Sequence, residues 1–128
     1  MSKEIIQTKD APAPIGPYSQ AVKTGNLLFV SGQIAIVPAT GELAIANIQE
    51  ETIQVMKNLK AVLLGAGMDF THIVKTTIFL SDMSFFAVVN EVYGSYFNGD
   101  YPARETVAVK TLPKNVNIEI SMIAVVSM

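Results

Sequence analysis

The chain has 128 residues, a formal net charge of −2 and no cysteine. This length predicts a single domain, residues 1–128, with one core, and the lack of cysteine excludes a disulfide framework, a thiolate nucleophile and a Cys-based metal site. The nine Lys and Arg residues are scattered, which argues against a nucleic-acid partner. No apolar run approaches the roughly 20 residues of a membrane helix, and the N-terminus has no signal-peptide core. We therefore expect a cytoplasmic protein without a membrane partner.

The apolar periodicity predicts strands and two helices in chain order. Gly25-Asn26 between two apolar runs indicates a hairpin turn. Asn47, with Glu50 three residues later, opens the first helix, and Ser84 is predicted to cap the second. The predicted strands are 5–8, 19–24, 27–33, 73–80, 104–111 and 117–126, and the predicted helices run over 47–65 and 84–97.

These elements predict an α+β fold in which both helices pack on one face of a sheet. The strands 73–80 and 117–126 carry apolar residues on both faces, and two helices can cover only one face. The uncovered apolar face is therefore expected to meet another subunit, so we expect a homo-oligomer.

Arg104 and Glu119 lie in apolar strands of a chain that is only 16% charged. Arg offers a planar fork for a carboxylate, and Glu can hold and activate water; the alternative is a pair of solvated strand-end charges. If Val107 and Val109 contact the helices, both charges point toward the subunit interface. A plain hairpin of the last two strands would instead make Glu119 a cross-strand partner of Lys110. Convergence of Arg104 and Glu119 then requires either a different strand order or two different chains.

Six short motifs occur in order along nearly the whole chain. They are Gly16-Pro17-Tyr18-Ser19-Gln20-Ala21, Ser31-Gly32-Gln33, Val89-Asn90-Glu91-Val92-Tyr93, Pro102-Ala103-Arg104, Leu112-Pro113 and Ile118-Glu119-Ile120. As an ordered set they resemble the RidA/YjgF family of reactive-intermediate deaminases. The resemblance implies a chorismate-mutase-like α+β fold with a mixed sheet, and a homotrimer with three clefts between subunits. It also implies hydrolysis of 2-aminoacrylate-type enamines and imines to 2-oxo acids and ammonia, without metal or cofactor.

The resemblance also implies roles for individual residues. Arg104 would clamp the substrate carboxylate, and Glu119 would position or activate water. Thr106 stands where many relatives have cysteine, so thiol chemistry is lost at this position, while a backbone carbonyl contact to the substrate can still form. The other implied cleft residues are Tyr18, Ser31, Asn90 and the backbone of Gly32.

A second class of function stays open at this stage. The same trimer could be a non-catalytic sensor or chaperone-like module that binds small 2-oxo acids or a protein partner. An intact pair of Arg104 and Glu119 favours the enzyme, because binding a carboxylate requires only the arginine. RNA cleavage is disfavoured by the acidic charge balance and the single histidine.

Overall fold

The computed structural model describes residues 2–126, which form six strands and two α-helices. In chain order these are β1 (Lys3–Ile6), β2 (Ala21–Thr24), β3 (Leu27–Gln33), α1 (Ile48–Gly65), β4 (Ile73–Leu80), α2 (Phe86–Gly94), β5 (Ala103–Ala108) and β6 (Ile118–Val125). Single 3-10 turns cover 70–72, 83–85 and 113–115. No helix of this part of the chain is long and apolar enough to cross a membrane.

Polar side chains mark the start of α1 and of the 3-10 turn that precedes α2. The Asn47 side chain accepts a hydrogen bond of 2.8 Å from the Glu50 N–H and caps α1, which confirms that prediction. The prediction that Ser84 caps the second helix is wrong. Asp82 caps instead, because its carboxylate accepts from the Ser84 N–H and starts a 3-10 turn, after which α2 begins at Phe86 without a side-chain cap.

The sheet has the strand order β1-β2-β3-β6-β4-β5. All neighbours are antiparallel except β4 and β5, which are parallel and joined through α2. The predicted hairpin is confirmed, since Thr24 pairs with Leu27 across the Gly25-Asn26 turn. The alternative of a plain hairpin between the last two strands is wrong, because β4 lies between β5 and β6 and Glu119 pairs with Phe79.

Both helices pack on one face of this sheet, as predicted. The core is formed by inward side chains of β3, β4 and β6 and by the buried stripe of α1, including Leu28, Ile78, Ile118, Ile120, Met56 and Leu59. On the opposite face, Ile5, Phe29 and Val107 each leave more than two fifths of their surface exposed. The sheet is therefore apolar on both faces, and the helices cover one of them.

A bulge interrupts the ladder between β3 and β6. Val30 pairs with Met122, but the next paired residue of β3 is Gln33, which pairs with Ile120. The extra residue bends β3 and leaves Ser31-Gly32 outside the regular ladder. Bulges commonly change the direction of the neighbouring side chains and backbone groups in this way. This irregular point of the sheet lies beside Glu119.

Candidate functional site

Arg104 and Glu119 lie on opposite faces of the sheet within one chain. Arg104 pairs with Thr76 of β4, which is fully buried beneath the helices, whereas Glu119 pairs with Phe79. Paired residues share a face, and residues three apart on a strand do not. Two strand spacings and three residues separate the two Cα atoms, which places them about 14 Å apart.

One of the predicted orientations is therefore wrong. Val107 pairs with Phe79 on the face away from the helices, and Val109, like Phe79, packs against the small apolar cluster that contains Leu112. These valines do not contact the helices, so Arg104 takes the helix-facing side of β5. Only Glu119 points to the uncovered face.

Glu119 lies in a cleft of about 330 Å³ on the uncovered face. Its carboxylate rests against Gly32, where a Cβ would overlap Oε2 of Glu119. Glycine is therefore the one residue that admits the carboxylate at this position. The lining is Pro12, Ala13, Ile15, Tyr18, Ser31, Gly32, Gln33, Ile34, Ile36, Pro113 and Glu119.

The Glu119 carboxylate has no hydrogen-bond or ionic partner among residues 2–126. Burial raises the pKa of the Glu119 carboxyl above its ordinary value, because removing the charged form from water is unfavourable. A half-buried carboxylate without a partner is free to accept a proton from a water molecule in the cleft.

Tyr18, in the loop that precedes β2, and Ser31, on β3, line the same cleft. The Ser31 Oγ donates to the Ser19 carbonyl at 2.6 Å, and the Ser31 N–H donates to the Gln20 carbonyl at 3.0 Å. The Tyr18 hydroxyl accepts from the Ile15 N–H at 3.2 Å, and its ring is half exposed at the cleft mouth. The structure thus brings four of the predicted residues, Tyr18, Ser31, Gly32 and Glu119, into one cleft.

Arg104 lies in a second cleft, of about 280 Å³, between α2 and the start of β5. Its guanidinium carbon is 5.2 Å from the centroid of the Tyr93 ring and 5.7 Å from that of Phe86. These cation–π contacts orient the guanidinium without neutralising it. No carboxylate pairs with Arg104 in the described part of the chain, so its donors are available for an anion.

No site role was predicted for Tyr93, which lines this cleft, or for Phe86, whose ring also contacts the Arg104 guanidinium. The Tyr93 hydroxyl donates to Thr76 Oγ1 at 2.8 Å, which fixes the ring beneath the guanidinium. Burial raises the pKa of the Tyr93 hydroxyl, partly opposed by the Thr76 bond and the Arg104 charge. Tyr93 therefore stays neutral and acts as a platform.

Asn90 and Thr106 are placed differently from each other. Asn90 lines the Arg104 cleft, and its Oδ1 is buried without a hydrogen-bond partner. Thr106 pairs with Ile78 on the helix-facing side and is outside the lining of both clefts. Its Oγ1 is also buried and unpartnered. Within one chain, the predicted residues fall into a Glu119 cleft and an Arg104 cleft, and Thr106, which is partly buried on β5, lines neither.

No group of three or more His, Cys, Asp or Glu side chains within residues 2–126 is arranged to hold a metal ion. The polar groups that the two clefts present are a guanidinium, a carboxylate, an amide and hydroxyls. Such groups can bind a small carboxylic acid and transfer protons to and from water.

Comparison with known proteins extends the similarity over nearly the whole chain. The family model described as endoribonuclease L-PSP matches residues 8–126. A RutC family protein of Pyrococcus horikoshii is 52% identical over 95% of this chain and 97% of its own length. The mouse 2-iminobutanoate/2-iminopropanoate deaminase is 46% identical over 96% of this chain and 91% of its own. The crystal structure of YyfA, a Rid-family protein of Yersinia pestis, superposes with a TM-score of 0.95 at 49% identity, covering 98% of this chain and all of that one.

Proposed function

We infer a function from one established premise: the chain belongs to the endoribonuclease L-PSP family, which is the RidA/YjgF family of reactive-intermediate deaminases. The reaction we propose is hydrolysis of 2-aminoacrylate-type enamines and 2-iminobutanoate-type imines to 2-oxo acids and ammonia. The observation that carries it is the pair of uncompensated groups, the Arg104 guanidinium on its aromatic platform and the Glu119 carboxylate against Gly32.

The proposed chemistry uses these two groups in sequence. The enamine tautomerises to the imine, water adds to the imine carbon, and the resulting carbinolamine expels ammonia to leave the 2-oxo acid. Arg104 binds the substrate carboxylate through two parallel hydrogen bonds and fixes the imine carbon. Glu119 takes a proton from the attacking water and returns it to the departing amine, a contribution of about 10²–10⁴-fold.

A complete site of this kind requires two copies of the chain. Arg104 and Glu119 diverge from opposite faces of the same sheet, so one chain cannot direct both at one substrate. We propose a homotrimer in which the uncovered apolar face packs against other copies. Each cleft then joins Arg104 and Asn90 of one copy to Tyr18, Ser31, Gly32 and Glu119 of its neighbour.

The test is release of ammonia and 2-oxo acid while a serine or threonine dehydratase generates the enamine in situ. Added protein should accelerate release in proportion to its concentration, and Arg104→Ala should nearly abolish the acceleration. Glu119→Gln keeps the shape but removes the base, so it should bind pyruvate and turn over imine slowly.

The opposite result has a definite meaning. Wild-type protein that binds pyruvate through Arg104 and leaves the release rate unchanged is a non-catalytic module for 2-oxo acids. Full turnover in Glu119→Gln would remove Glu119 from the mechanism.

A further inference from the structure

Glu51, in the first turn of α1, has a fully buried side chain and lines neither cleft. No cation pairs with it in the described part of the chain. Its carboxylate instead accepts three hydrogen bonds, from the Asn117 N–H at 2.7 Å, the Asn117 Nδ2 at 2.9 Å and the Ile118 N–H at 3.2 Å. Burying a carboxylate is costly even when it is hydrogen-bonded, so its place at the start of β6 calls for a reason.

The bonds converge on the residues that precede Glu119. Asn117 is held from a second side, because its Oδ1 accepts from the Ser81 Oγ at 2.9 Å and its carbonyl accepts from the Ser81 N–H at 2.9 Å. Asn117 is thus fixed between α1 and the end of β4. Glu119 follows two residues later.

On its β3 side, β6 is held by fewer ladder hydrogen bonds at this point. The bulge at Ser31-Gly32 interrupts the β3–β6 ladder beside Glu119. The Glu119 carboxylate also has no room to move toward Gly32, where even a methyl group would overlap it. A shift of β6 by a fraction of an ångström would therefore displace the carboxylate from its place in the cleft.

We propose that Glu51 is a positioning residue for deamination: its buried carboxylate fixes Asn117 and Ile118 and so holds Glu119 against Gly32. This role rests on the proposed function, in which Glu119 handles the attacking water. Glu51 acts through β6 and touches no substrate.

Two substitutions separate the hydrogen bonds of Glu51 from its charge. In Glu51→Gln, the amide oxygen can accept from both backbone N–H groups, and the amide N–H can donate to Asn117 once that side chain rotates and donates to Ser81. Glu51→Asp keeps the charge but shortens the reach, so the three bonds cannot all form. Val55→Ala, fully buried one turn later on α1, is the control for general loss of stability.

The measurements are kcat and KM with enamine generated in situ, pyruvate affinity and melting temperature. Glu51→Gln should keep kcat within about threefold of wild type, whereas Glu51→Asp should lose about tenfold or more in kcat relative to Val55→Ala. Pyruvate affinity should change by less than about threefold in both, because the carboxylate is bound by Arg104 of the neighbouring chain, which Glu51 does not position.

Two results overturn the positioning role alone: an active wild type with Glu51→Asp equal to Val55→Ala, or Glu51→Asp more active than Glu51→Gln. The second result would mean that the buried charge matters more than the hydrogen bonds. A wild type that does not accelerate deamination overturns the proposed function, and the positioning role with it.

Discussion

Because Arg104 and Glu119 lie on opposite faces of the sheet, we predict that two inactive variants restore activity to each other. Arg104→Ala lacks the carboxylate clamp and Glu119→Gln lacks the base, so each variant alone should be nearly inactive. In a mixed assembly, an intact Arg104 from a Glu119→Gln chain can face an intact Glu119 from an Arg104→Ala chain. That cleft contains both wild-type groups.

The expected recovery follows from chance pairing. In an equimolar mixture, each cleft draws its Arg104 from an intact chain half of the time and its Glu119 from an intact chain half of the time. About one quarter of the clefts in a closed ring are then complete, so the mixture should reach about a quarter of wild-type activity. A cleft built from one chain would give none.

The assay is co-refolding of differently tagged variants in equal amounts and measurement of ammonia release from the whole, unfractionated mixture. Capture of a small sample through both tags shows that mixed assemblies have formed. A second mixture, of wild type with the Arg104→Ala/Glu119→Gln double variant, checks the arithmetic. It should show about one quarter of full activity with shared clefts and about one half with clefts made within one chain. Mixed assemblies that form but stay inactive in the first mixture would refute the reasoning.

Three further changes test separate parts of the structure. Gly32→Ala should fold normally yet lose about tenfold or more in kcat, because the new methyl displaces the Glu119 carboxylate. The control is Gly65→Ala, whose Cβ would meet only ordinary contacts of 3.5 Å. Full activity in Gly32→Ala would contradict the close approach of the carboxylate to Gly32. Thr106→Val removes an unpartnered buried hydroxyl, so urea unfolding should show unchanged stability or a gain of up to about 1–2 kcal/mol. A clear loss of stability in this variant would show that the hydroxyl has a partner. Thr106→Cys should keep activity within about tenfold of wild type. Phe29→Lys places a charge on the uncovered apolar face. Light scattering should therefore show a fall from about three times the chain mass to the monomer mass, and turnover should be lost in parallel. An active monomer would exclude clefts shared between subunits.

Local signals predicted the parts of the fold that depend on neighbouring residues. The Asn47 cap and the Gly25-Asn26 turn were both readable because each is set by a few adjacent residues. The order of the last strands was not readable, since β5 pairs with β4 only through the α2 crossover. Ser84 was mistaken for a cap because Asp82, two residues earlier, is an equally good acceptor.

The site was predicted in its residues but not in its orientation. The alternation of side chains along β5 does not show which face the helices cover, because the sheet is apolar on both sides. Arg104 was therefore assigned to the wrong face. Glu51 was not identified, since acidic residues in a first helical turn are ordinarily explained by the helix dipole. The helical period separates it from exposed Glu50, because Val55 and Leu59 follow Glu51 at intervals of four on the buried face of α1.

The last strand of the described chain, β6, is also a central one, lying between β3 and β4. Until β6 is in place, β1–β3 and β4–β5 are two separate pieces, each with an unpaired edge facing the gap. The joining ladder starts with Leu27 opposite Val125, across nearly the whole length of the chain, and closing so long a loop must precede any gain from the contacts. A nascent chain that has not yet released β6 from the ribosome cannot complete its sheet, and it should remain sensitive to proteases until β6 emerges.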